Sequence, residues 1–133
     1  MIIVDDRMAR EVLSGRRHPT LGDQPVATTW GFHYRLLRAL SDNRVDGRLS
    51  RSVAKGLRAT AVDPPTTVLE VLDPRLTTHA AARLSIDHRL NLLSAGLVAA
   101  AQHHGAPVVL SAGNVGRTWP DLFASLSIPL SIV

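Results

Sequence analysis

Five short apolar runs, separated by segments of helical period, constrain this chain more than any other feature. They are "MIIVDD", "VATTW", "TTVLEVLD", "APVVLSAG" and "IPLSIV". Continuous apolar runs of this length read as strands, as in a parallel sheet covered on both faces. Between them lie "RMAREVLSG", closed by Gly15, and "GFHYRLLRALSDNR", with Phe32, Leu36, Leu37 and Leu40 on one side. "SRSVAKGLRATA" follows and "DPP" ends it. "PRLTTHAAARLSIDHR" opens on proline, a favoured helix start. "LNLLSAGLVAAAQHHG" is apolar enough to be buried on most sides, and "TWPDLFASLS" is a short last helix. "RRHPTLGDQP" reads as a polar loop. Strand and helix alternating in this way predict an α/β layer fold with a mostly parallel sheet.

The length of 133 residues suits one domain, spanning 1–133. Hydrophobic residues make up 45% and aromatic ones only 4%, so the core must be built from Leu, Val, Ile and Ala. Cysteine is absent, which excludes disulfides, thiolate zinc sites and cysteine nucleophiles. Asp5 and Asp6 interrupt the first apolar run, so no signal peptide is expected there. "LLSAGLVAAA" falls well short of the ~20 residues that span a bilayer. The expected location is therefore cytoplasmic, with no membrane partner. Net charge is +4, carried almost wholly by arginine, since Lys55 is the only lysine. Arginine suits bidentate phosphate contacts and permits a nucleic-acid partner, but an ordinary solvated surface gives the same composition.

In parallel sheets ligands bind outside the carboxyl ends of the strands. Asp5 and Asp6, Trp30 with the residues after it, and Ser111 to Asn114 all fall at such ends, so they are expected to share one cleft. Asp5 is read either as a metal ligand at the sheet edge or as a structural carboxylate that caps the following helix or pairs with Arg35. Asp6, as the next strand residue, is expected on the opposite face unless the strand bulges. Arg7, Arg35, Arg38 and Arg117 form either a phosphate-binding rim or arginines lying along solvated helix faces. His33 follows the second strand but has no carboxylate to orient it as a base. His103 and His104 precede Gly105 and suit a helix C-terminus better than a metal. Ser94 and Ser111 lack an elbow motif, "GNVG" lacks the lysine of a phosphate loop, and Trp30 and Trp119 read as packing residues, with stacking on a base as the alternative for an exposed tryptophan.

The order and spacing of these segments resemble the PIN-domain family, the fold of the VapC-type ribonuclease toxins. "IIVDD" looks like its first strand with the first acid, and "VATTWGFHYRLLRAL" like its strand-to-helix segment. "EVLDPRLTTHAAARL" and "NLLSAGLVAAAQHHGAPVVLSAGN" are similar to its central helices and later strand. The resemblance implies a three-layer α/β/α sandwich with a central, mostly parallel sheet of about four to five strands. An active member holds magnesium or manganese in a cluster of carboxylates that activates water. Carried over, the first acid falls on Asp5 and is kept. The others fall on Arg35, Ser94 and Ala112, with a companion at Asn114, and none is acidic. A guanidinium near such a site opposes each metal charge by ~4 kcal/mol at ~4 Å.

The resemblance thus implies a PIN-like protein with a degenerate active site and no cofactor. It would bind RNA or another phosphate-bearing ligand through Asp5, Asp6, Arg7, Arg35, Arg38, Asn114 and Arg117. Alternatively it would survive as an interaction relic of a toxin–antitoxin module. Homodimerisation and a small antitoxin-like partner are implied as well. The competing expectation is an active endoribonuclease, using magnesium or manganese at a non-standard site around Asp5 and Asp6.

Overall fold

A central sheet of five parallel strands organises the computed structural model, which describes residues 1–42 and 51–133. Along the chain run β1 (Ile2–Val4), α1 (Asp6–Leu13), β2 (Val26–Thr28), α2 (Trp30–Ser41) and α3 (Arg51–Val62). They are followed by β3 (Glu70–Val71), α4 (Thr78–His88), α5 (Leu92–His104), β4 (Val108–Leu110), α6 (Trp119–Ser125) and β5 (Leu130–Ile132). Of the expected helix over 31–44, Asn43 and Arg44 lie outside the described residues, as does Ser50 of the next one. The strand order is β3-β2-β1-β4-β5, and every pairing is parallel. The fold class is that of a three-layer α/β/α sandwich, as the sequence predicts.

Strand pleating sorts the core into two halves. Ile2, Val4, Val26 and Val109 pack with Met8 and Val12 of α1, Leu36 and Leu40 of α2 and Ala61 of α3. Ile3, Ala27, Val108 and Leu110 face the other way, onto Leu97, Val98 and Ala101 of α5 and Phe123 of α6. Strands buried on both faces need apolar residues at consecutive positions, which is why "IIV" and "VVL" do not alternate. Gly105 ends α5 in the left-handed region (φ 58°), where a Cβ is disfavoured.

Two elements are shorter than the sequence suggests. "TTVLEVLD" contributes only Glu70 and Val71 to the sheet. The Pro65 carbonyl accepts from the backbone N–H groups of both Val68 and Leu69, so a turn takes the donors that pairing would need. A 3-10 turn at Pro74–Leu76 separates Pro74 from α4, so the proline starts that turn and not the helix proper. Among the described residues no helix is long and apolar enough to cross a membrane.

Candidate functional site: a self-filled polar cluster at the sheet switch point

From β1 the chain moves outward to β2 and β3 on one side, and to β4 and β5 on the other. The reversal leaves a crevice between the carboxyl ends of β1 and β4, the place where such sheets bind ligands. Here that crevice is occupied by the protein's own side chains.

The strand ends at Val4, and Asp5 is the N-cap of α1 with extended backbone (φ −79°, ψ −179°). The residue is wholly buried. Its Oδ1 accepts from the Met8 backbone N–H at 2.8 Å and from the Ser111 hydroxyl at 3.2 Å. Its Oδ2 accepts from the Ser111 backbone N–H at 2.6 Å and from Asn114 Nδ2 at 2.9 Å. A carboxylate has about four lone-pair positions, so these donors fill it. The capping reading of Asp5 is seen directly, and Ser111 is its partner across the crevice.

Asp6 corrects the expectation from strand pleating. As the first residue of α1 it turns to the same side as Asp5, and Asn114 Nδ2 donates to its Oδ1 at 2.8 Å. The expected partner of Arg35 also changes. Arg35 Nε stands 3.6 Å from Asp6 Oδ2, and Nη2 donates to Asn114 Oδ1 at 3.5 Å. Asn114 therefore bridges: its amide nitrogen donates to two carboxylates and its oxygen accepts from the guanidinium. The Arg35 side chain keeps 44% exposure while Asp6 keeps 13%, so the cluster has an acidic floor and a basic lid. The single carbon of that guanidinium, Cζ, also rests 5.9 Å from the Phe32 ring centroid.

These residues do not fit a hard dication. Asp5 has no free acceptor, Asp6 shares its carboxylate with an amide and a guanidinium, and the amide nitrogen is a donor. Among the described residues no three His, Cys, Asp or Glu side chains come together as a metal-binding group. Ser94 is buried in the first turn of α5, where its N–H and hydroxyl donate to Asn91 Oδ1 at 2.9 and 2.8 Å. Ala112 starts a 3-10 turn, Ala112–Asn114, that carries Asn114 to the carboxylates.

The rim is only partly assembled. The Arg7 guanidinium lies over Gly113, where a Cβ would stand 3.1 Å from Nη1. Arg38 and Arg117 are exposed and stand outside the bonded cluster. His33 does not face the crevice as a base: its Nε2 lies 2.7 Å from the Ala61 carbonyl and ties α2 to α3. His103 and His104 close α5, their rings edge-on at 4.8 Å. Trp119 packs on Phe123, as expected of a packing residue. Trp30 does not: it is 49% exposed and stacks on Tyr34, itself 52% exposed. Tyr34 was not singled out by the sequence reading, although the spacing of four between the two rings on a helix is a visible signal.

At the end of β3, Asp73 receives two hydrogen bonds from Arg75 Nε at 3.1 Å and one from Nη2 at 2.8 Å, plus the Arg75 backbone N–H at 3.0 Å. These side-chain bonds, and then the backbone bond, hold its carboxyl below the usual carboxylate value of 3.8. Because the folded value is depressed, the contribution is present above the unfolded pKa and lost as pH falls through the folded one. A carboxyl-carbon NMR titration is expected to give an Asp73 midpoint below 3.8, rising in Arg75→Ala. An unchanged midpoint in that variant would remove Arg75 as the cause.

No protein-family model matches the chain, and no curated protein matches it.

Proposed function

We propose that this chain is a PIN-like protein whose metal centre has been replaced by an internal polar cluster, and that it binds RNA without cutting it. The observation carrying this reading is Arg35. It sits where the family likeness calls for an acid, is paired to Asp6, and still exposes close to half of its side chain. A half-neutralised guanidinium over a filled crevice suits a phosphate oxygen far better than a magnesium ion. Arg7, beside the Ala112–Asn114 turn, and Arg38, one helical turn beyond Arg35, extend the same cationic rim. The likeness carries with it self-association and a small antitoxin-like partner as further parts of this proposal.

The test is a salt titration of RNA binding. A 12-nucleotide unstructured RNA is expected to bind with an affinity that falls as salt rises, and to remain intact with magnesium or manganese present. Arg35→Ala is expected to flatten the log–log slope by about one unit, as one phosphate contact is lost. Cleavage that depends on manganese and disappears in Asp6→Ala would overturn the reading in favour of an active nuclease.

A further inference from the structure

The exposed side of α2 carries an arrangement that the polar cluster does not use. Trp30, Tyr34 and Arg38 follow one another at intervals of four along this helix, and all are exposed. The first and third are separated by about 12 Å of helix rise. The Trp30 and Tyr34 rings are nearly parallel, with 20° between planes and 5.8 Å between centroids. Arg35 stands beside Tyr34, and α2 contains no acidic residue. Trp30 also forms one wall of a mainly apolar cleft of about 300 Å³ between α2, α4 and α5, where Thr29, Thr77, Thr78 and Ser85 supply hydroxyls and Asp73, paired with Arg75, a carboxylate.

From this juxtaposition we infer that the Trp30–Tyr34 pair is a stacking shelf for unpaired bases of single-stranded RNA, with Arg35 and Arg38 taking the adjoining phosphates. The inference rests on the RNA-binding reading above and adds the part of the ligand that is recognised. Aromatic faces beside a cationic track are what single-stranded nucleic acid requires, because every base has a π-face and every nucleotide a phosphate. A buried protein contact is the weaker match: interface cores are depleted of charge, whereas Arg35 and Arg38 follow the two rings along α2. Duplex RNA, with its bases already stacked, offers the shelf nothing. The cleft beyond Trp30 leaves room for the edge of a base placed on the indole.

The experiment compares three labelled ligands by fluorescence anisotropy: an unstructured 12-nucleotide RNA, an abasic strand with the same number of phosphates, and a 12-base-pair duplex. The base-bearing strand is expected to bind at least tenfold more tightly than the abasic one and to quench tryptophan fluorescence. Trp30→Ala and Tyr34→Ala are each expected to weaken it about five- to tenfold, leaving the abasic strand unaffected. Trp30→Leu keeps the apolar area without the ring face and is expected to behave like Trp30→Ala. Equal affinity for base-bearing and abasic strands overturns the shelf while leaving phosphate binding intact. Absence of salt-dependent binding to either strand overturns both readings. A shift in sedimentation from dimer to monomer in Trp30→Ala, with RNA affinity unchanged, assigns the rings to a protein contact and also overturns the shelf.

Discussion

Asp5→Ala is expected to lower the unfolding free energy by about 4 kcal/mol, the largest loss for any single polar residue of this chain. The substitution removes a helix cap, worth ~1 kcal/mol by itself. It also strands the Ser111 N–H and one Asn114 donor position beside a wholly buried site in a part-buried crevice. Each unmade bond to a buried charge adds ~1.5–3 kcal/mol before relaxation. A domain of this size holds only about 5–15 kcal/mol in total, so the melting temperature is expected to fall by roughly 10–15 °C. Asp5→Asn is the sharper control. It keeps the volume but turns one acceptor into a donor that faces the donors of Ser111 and Asn114, so it is expected to rescue less than half of the loss. Chemical denaturation of the three proteins decides the matter. A cost under ~1 kcal/mol for both variants would mean that Asp5 acts only as an ordinary cap.

Asn114→Asp is expected to be nearly as costly, about 3 kcal/mol, and its cost is expected to depend on metal. Asn114 donates one amide nitrogen to Asp5 Oδ2 and Asp6 Oδ1 at 2.9 and 2.8 Å. A carboxylate there replaces both bonds with repulsion among three acids, relieved only in part by Arg35. The same change supplies the oxygen cluster that a dication needs, so manganese added at a hundredfold excess over its dissociation constant would return ~2.7 kcal/mol. Asn114→Ala separates the two effects, since it loses the bonds without gaining the charge and is expected to ignore manganese. Thermal melts of both variants with and without manganese test this; equal response in the two would show that the third carboxylate does not create a metal site.

The fold was legible in the sequence wherever local pattern decides it. "IIV" and "VVL" announce strands buried on both faces, and Phe32, Leu36 and Leu40 do line the inner side of α2. The cap at Asp5 was legible for the same reason, because an acid before a helix start is a local signal. The meeting of Asp5 and Asp6 with Ser111 to Asn114 was legible too, because all fall at strand carboxyl ends. What escaped the sequence was non-local: which bonds Ser111 and Asn114 make depends on β1 and β4 being direct neighbours, a fact set by strand order and not by spacing. Pairing of Arg35 with Asp6 instead of Asp5 depends on the strand stopping at Val4, two residues before the end of "MIIVDD". Trp30 read first as a packing residue because large aromatic residues are usually buried, and one sequence does not reveal which ring is left outside.

The Asp5–Ser111 bond also orders events in time. Its two ends lie 106 positions apart, so during synthesis Asp5 has only its local bond to the Met8 N–H until the fourth strand has left the ribosome. Sheet pairing of β1 with β2 and the turn of α1 need only the first 28 residues. The N-terminal half can therefore collapse early while its buried acid is still wet, and drying of the switch point becomes a late step that locks the two halves of the sheet together.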